Sequence, residues 1–204
     1  MKKIKSEIHS IFPTPVYMTS LERKFSLKEE KFIKNCDRKK NIGNFDSVDK
    51  YILENEVFIN LKKEILDIVQ DYYNKVLCTS NSIKPHITQS WLNFTGEKQF
   101  HHIHEHPNSY ISGVLYIDVN ENEDRIYFYK SKYELIKPEV KEYNLHNSTS
   151  WFFNIKKYQV ILFPSYLTHS VETKVSNNIR TSLAFNTFFT GTMGSYEEIT
   201  ELKI

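Results

Sequence analysis

Glycine and proline are scarce in this 204-residue chain, at 5 and 6 respectively, which excludes collagen and most low-complexity disorder. Only two cysteines are present, Cys36 and Cys78. They cannot build a disulfide framework and do not have zinc-pair spacing, so both are expected to act as small buried apolar residues. Long hydrophobic runs are missing, and stretches such as 160–163 fall far short of a bilayer span. Met1-Lys2-Lys3-Ile4-Lys5 opens like a signal peptide, but Ser6, Glu7, His9 and Ser10 leave no apolar segment behind it. The expectation is a cytoplasmic protein with no membrane partner. Neither sign of charge is in excess: 27 basic against 25 acidic residues give a formal net charge of +2. Composition therefore argues for no nucleic-acid partner. The basic stretches Arg38-Lys39-Lys40 and Lys156-Lys157 read as solvated surface, with no nucleic-acid motif around them. Arginine is rare, occurring only as Arg23, Arg38, Arg125 and Arg180, so each one is informative in a chain that otherwise uses lysine for charge.

What the chain has in quantity is aromatic surface, with 14 Phe, 13 Tyr and 2 Trp. Large rings can fill the core of one domain without many aliphatics. Hydrophobic period divides that domain into three parts: an N-terminal region of extended segment and supporting helices (1–85), a β core (86–190) and a C-terminal tail (191–204). Ile11-Phe12-Pro13-Thr14-Pro15-Val16-Tyr17 is expected to be extended, because each proline biases its predecessor toward β. A short helix is expected at 26–33, with Ser26 as cap and Glu29 three residues on. Another is expected near 47–53. The best helix covers 57–77, with Leu61, Ile65, Ile68, Val69, Tyr72, Val76 and Leu77 on one face.

From about residue 86 the period becomes 2, and strands are expected near 87–94, 100–106, 109–119, 124–131, 149–155, 158–163, 168–173 and 179–189. Short strands without intervening helices point to a mainly β fold with N-terminal helices, a jelly roll or closed barrel. Residues 120–124 and 176–178 read as hairpin tips. Residues 131–148, with Tyr133, Tyr143 and His146, read either as a substrate lid over one mouth of the barrel or as a solvated surface loop.

Candidate chemistry is concentrated in His101-His102-Ile103-His104-Glu105-His106. Strand alternation puts His102, His104 and His106 on one face and His101 and Glu105 on the other. Two histidines at i and i+2 can present both imidazoles to one ion, and imidazole suits Fe, Zn, Cu and Ni. A polar strand edge that happens to be histidine-rich is the competing reading. Pro107 then removes a ladder donor, as at a barrel rim. A lone His169 follows Phe163-Pro164-Ser165-Tyr166-Leu167-Thr168. Arg180 and Ser182 share the parity of an otherwise apolar strand. A guanidinium facing a barrel interior requires an anion, and a bidentate carboxylate is its natural partner. That carboxylate could also belong to the protein.

Taken together, His-x-His, a distal His and a following Arg-x-Ser resemble the Fe(II)- and 2-oxoglutarate-dependent oxygenases, whose fold is a double-stranded β-helix (jelly roll). The small prokaryotic and phage branch of that superfamily is the nearer likeness. Its Trp-Leu-Asn strand, His-x-His-Pro step, Ser-Gly-Val-x-Tyr strand and Phe-Pro-Ser-x-Leu-x-His segment appear here as Trp91-Leu92-Asn93, His104-Glu105-His106-Pro107, Ser112-Gly113-Val114-Leu115-Tyr116 and Phe163 to His169. The likeness covers about residues 87 to 189, plus the Phe-Pro-Thr-Pro-Val opening at 12–16.

The resemblance implies a hydroxylase that couples decarboxylation of 2-oxoglutarate to succinate with oxidation of a second substrate, with Fe(2+) as metal and O2 and 2-oxoglutarate as co-substrates. It implies His104, His106 and His169 as metal ligands and Arg180 as anchor of the distal carboxylate, with Ser182 and Tyr116 beside it and Asn93 lining the first strand. His106 stands where the common triad has a carboxylate, and Glu105 should point away unless a bulge re-aims it. The frame His102-x-His104 remains open.

Two rival readings stand beside this one. One is a cupin-like three-His enzyme that does not use 2-oxoglutarate; its usual Glu after His-x-His is here Tyr110 or Ile111. The other is a non-catalytic metal-binding barrel. The primary substrate is not identified, and the exposed edges of such barrels leave a homodimer open. Two placements would contradict the oxygenase reading: His169 turned to bulk water, or Arg180 neutralised by a neighbouring Asp or Glu.

Overall fold

A computed structural model describes residues 4–130, 136 and 138–204. Two antiparallel sheets face each other, and helices cover the back of the larger one. That sheet runs β1 (Tyr17–Ser20), β9 (Gln159–Pro164), β6 (Ile111–Asp118), β11 (Arg180–Met193), β4 (Ile83–Thr95), β3 (Phe45–Ser47) and β2 (Arg38–Lys40), with β12 (Leu202–Lys203) also paired to β11. The smaller sheet runs β5 (His101–His104), β10 (His169–Val171), β7 (Arg125–Tyr129) and β8 (Ser150–Asn154). From β4 to β11 the chain passes repeatedly between the sheets, which is the jelly-roll path expected from the sequence.

Period-2 alternation supplies two cores from one set of strands. Leu115, Val160, Leu162, Leu183 and Phe185 point to the helices, while Val114, Tyr116, Ile161 and Phe163 meet Ile126 and Phe128 between the sheets. A sheet covered on both faces needs near-continuous apolar strands, which is why β6 and β9 read as they do. Gly113 allows close packing within this layer: a Cβ there would stand 2.2 Å from Phe185 Cζ and 2.7 Å from Leu162 Cδ2.

Each of the eight expected strands has a counterpart. The expected helix at 26–33 is α1 (Leu27–Asn35). Ser26 Oγ accepts from Glu29 N, and the Glu29 carboxylate accepts from Ser26 N, which is the capping box its sequence signals. The expected helix over 57–77 is α2 (Ile59–Tyr72), which continues as a π turn over Tyr73–Leu77; Leu61, Ile65, Val69 and Tyr72 are buried.

Other expectations need correction. Residues 47–53 do not form an α-helix: β3 ends at Ser47, and only the 3-10 turn Ile52–Glu54 follows. The turns at 120–124 and 176–178 are not hairpin tips, because β6 and β7, like β10 and β11, lie in different sheets. Both are corners. The 38–40 basic stretch is exposed as expected, but as edge strand β2. Cys78 is exposed at the left-handed end of the π turn, not buried, and Cys36 is half-buried. No helix among the described residues is long and apolar enough to cross a membrane.

Candidate active site

Between the sheets lies a cavity whose floor is a set of cross-strand rows. Register places Ser182 opposite Tyr116 on one side and Asn93 on the other. Two residues along β11, Ala184 lies between Val114 and Trp91; two residues back, Arg180 faces Thr95. All of these side chains line the cavity. The shared parity of Arg180 and Ser182 thus points inward, as the strand pattern required.

The smaller sheet brings the imidazoles. His104 and His169 are directly opposed in the β5–β10 pairing, with ring centroids 4.2 Å apart. His106, just beyond β5, has its backbone N bonded to Ser165 O at 3.0 Å, and its ring stacks on His169 at 5.1 Å. One nitrogen from each of the three rings lies within 4.8 Å of the other two. His104 Nδ1 donates to His102 O at 2.8 Å, and His169 Nδ1 donates to Leu167 O at 2.9 Å. Each bond places the proton on Nδ1 and leaves Nε2 as a bare lone pair. His106 Nε2 and His169 Nε2 stand 3.3 Å apart. Two nitrogens each ~2.1 Å from a shared ion fit that separation. Burial pushes the His169 imidazole well below its usual range and His106 down to about 4, and lowers His104 as well. All three are neutral at ordinary pH, as ligands must be. His169 is 6% exposed, so it does not turn to bulk water.

Strict alternation fails at His101 and His102. Between the pairs His169↔His104 and Val171↔His101 the β5 side carries one extra residue, a bulge. His101 therefore lines the cavity beside His104, and His102 does not. Asn44 Nδ2 donates to His101 Nδ1 at 3.2 Å. Burial holds the His101 imidazole down to about 3. His101, His102 and His104 form a second close group that does not include His169. Glu105 does face away: it is exposed and accepts from the Thr168 hydroxyl.

At the far end of the cavity the expectation for Arg180 is overturned in one respect. Arg180 Nη1 donates to Asp124 Oδ1 at 2.8 Å, so a protein carboxylate does meet it. The 120–124 corner places that acid, which sequence parity could not. Lys174, wholly buried, shares the same carboxylate at 3.2 and 3.3 Å, so two cations meet one anion. Arg180 Nη2, the Tyr116 hydroxyl and Asn93 Oδ1 are buried without a hydrogen-bond partner. The guanidinium nitrogen and the phenol are orphaned donors, which beside surplus positive charge suit a carboxylate, and the imidazole set suits a divalent transition metal. The residues present therefore fit both groups.

Sequence reasoning missed His101, Asn44, Asp124, Lys174 and the cavity-lining role of Trp91, whose ring lies 5.6 Å from that of His106. Only Trp91 carried a signal, by sharing parity with Asn93. Of the expected lid, Tyr143 and His146 are exposed, and Tyr133 lies outside the described residues.

Residues 89–186 match the family described as "Putative 2OG-Fe(II) oxygenase". Among solved structures the chain is similar to an oxidoreductase of the 2OG-Fe(II) oxygenase family from Burkholderia pseudomallei (14% identity, 84% of this chain and 83% of that one, TM-score 0.58). It is similar also to HygX from Streptomyces hygroscopicus, solved with nickel, 2-oxoglutarate and hygromycin B (12% identity, 85% and 82%, TM-score 0.59). A third is the non-heme alpha ketoglutarate dependent carbocyclase SnoK from nogalamycin biosynthesis (10% identity, 87% and 82%, TM-score 0.57). At such identities the solved structures speak to the fold. Among curated proteins, none matches this sequence.

Proposed function

We propose that the chain is a member of the 2OG-Fe(II) oxygenase family that residues 89–186 match, in which His104, His106 and His169 hold Fe(II) while Arg180, Tyr116, Ser182 and Asn93 receive 2-oxoglutarate. The protein is a 2-oxoglutarate-dependent non-haem iron oxygenase that uses O2, and hydroxylation of a second substrate is the outcome proposed. One observation carries the residue assignment: a single cavity presents converging imidazole lone pairs at one end and an unpartnered guanidinium nitrogen at the other.

Bound iron and 2-oxoglutarate supply oxidative decarboxylation, giving succinate and CO2, and an oxidant for an unactivated C–H bond. The chain's own residues position and shield. The Leu167 and His102 carbonyls fix the tautomers of His169 and His104, so each ring presents the correct nitrogen without reorganising. Arg180 Nη2 and the Tyr116 hydroxyl offer donors to a distal carboxylate. Burial pushes the Tyr116 phenol well above its usual range, so it keeps its proton and serves as a donor. Phe163, Ile126 and Val114 wall the cavity with apolar surface, which excludes water and strengthens each polar contact inside. The frame His104/His106 is favoured over His102/His104 because the His104 and His106 rings converge with His169 while His102 lies off the cavity.

Purified protein supplied with Fe(II), 2-oxoglutarate and air should release succinate even without the second substrate, and His169→Ala should abolish this. Metal-loaded, folded protein that releases none would remove the oxygenase reading and favour a three-His enzyme of another kind.

A further inference from the structure

Asp124 and Lys174 form a buried pair that the oxygenase reading does not use. They sit on two corners of the jelly roll, after β6 and after β10. Asp124 divides its oxygens. Oδ1 takes Arg180 Nη1 at 2.8 Å, while Oδ2 accepts from the Asn120 backbone N at 2.8 Å, which pins the carboxylate to its own turn. Lys174 Nζ bonds both oxygens and donates to Ser176 Oγ at 2.7 Å. Glu123 ties the corners together by accepting from the Val175 and Ser176 backbone N at 2.7 and 2.8 Å. Asp124 is 1% exposed, Lys174 1% and Arg180 3%. Fully buried lysines are rare, and two buried cations on one buried carboxylate leave a positive charge uncompensated. Without Lys174, Asp124 and Arg180 would be a neutral pair, and that end of the cavity would hold no net charge to attract an acid.

We infer that Lys174 is a positioning residue that sets the charge count of the co-substrate pocket: by sharing Asp124 with Arg180 it leaves the cluster one surplus positive charge, so the pocket selects a 2-oxo acid bearing a second, distal carboxylate over one with an uncharged tail. This inference rests on the oxygenase reading. The distal carboxylate brings the buried cluster to two positive and two negative charges, and Arg180 Nη2 and the Tyr116 hydroxyl provide its hydrogen bonds. Asp124 fixes the guanidinium through Nη1, which aims the remaining edge at the cavity. An uncharged tail would leave the surplus charge and both donors unsatisfied.

The test is calorimetric binding of 2-oxoglutarate and of 2-oxopentanoate, the same-length acid without the distal carboxylate, to nickel-loaded protein. Wild type should prefer 2-oxoglutarate. Lys174→Met should weaken 2-oxoglutarate about tenfold or more, the scale of one charge-assisted interaction, and leave 2-oxopentanoate unchanged. Its melting temperature without oxo acid should hold or rise, because Asp124 and Arg180 still pair. Lys174→Gln, which keeps a donor to Asp124 but loses the charge, should behave alike and serves if the Met variant does not fold. Equal weakening of both acids, or a folded variant with unchanged preference, overturns the inference; a salt bridge of purely structural role would move the melting temperature alone. Wild-type protein that binds neither acid overturns the underlying oxygenase reading instead.

Discussion

An imidazole buried away from water resists protonation, and that resistance links the site's chemistry to the protein's stability. His106 titrates at about 4 and His101 at about 3 in the fold, with His104 and His169 also lowered, burial being the main cause in each. In the unfolded chain each returns to about 6.5. Below that value the unfolded state takes up protons the folded state refuses, so stability is complete above about 6.5 and is lost as pH falls toward the folded values. Metal-free protein should therefore melt at a clearly lower temperature at pH 5 than at pH 7.5; a flat profile would contradict the burial of these rings. The ligand frame is tested at the same scale: His106→Ala should lose tight metal binding while His102→Ala keeps it, as followed by nickel calorimetry. Arg180 was legible in the sequence because arginine is rare here and its strand is otherwise apolar. Asp124 and Lys174 were not, since both lie in polar corners where any charge reads as solvated. His101 was hidden by a bulge, an inserted residue that leaves no mark on composition.

At the scale of elements, β11 organises the molecule: one face presents Leu183 and Phe185 to the helices, the other Arg180, Ser182 and Ala184 to the cavity. Its neighbour β6 approaches closely enough to require Gly113. Gly113→Ala should cost about 1–3 kcal/mol, the usual penalty for overpacking, and unchanged denaturant stability would show that Phe185 can yield. Ser26→Ala, which removes one half of the α1 capping box, should cost about 1 kcal/mol without touching metal affinity. Strand positions were readable because apolar and polar residues change at the period that pleating imposes. The corners were read as hairpins because a turn's polarity does not say whether the next strand joins the same sheet. The short strands β2, β3 and β12 offer too few residues for any period to appear.

At the scale of the whole molecule, two sheets from one winding chain hold opposite ends of a single cavity, so under the proposed function metal and oxo acid should bind as a couple. Three neutral imidazoles leave the ion's +2 charge uncompensated, and no ligand in the proposed set supplies a carboxylate. Iron should therefore bind more weakly alone than with 2-oxoglutarate present, and equal affinity in both conditions would count against the three-histidine set. Binding of the pair should also add about 2.7 kcal/mol of stability at a hundred times the dissociation constant, read as a raised melting temperature. The most direct measurement is an anaerobic absorbance titration of iron-loaded protein with 2-oxoglutarate. A visible metal-to-ligand charge-transfer band should grow in, disappear in His169→Ala and require higher oxo-acid concentration in Arg180→Ala. Iron that binds without any such band, at saturating 2-oxoglutarate, would contradict the account.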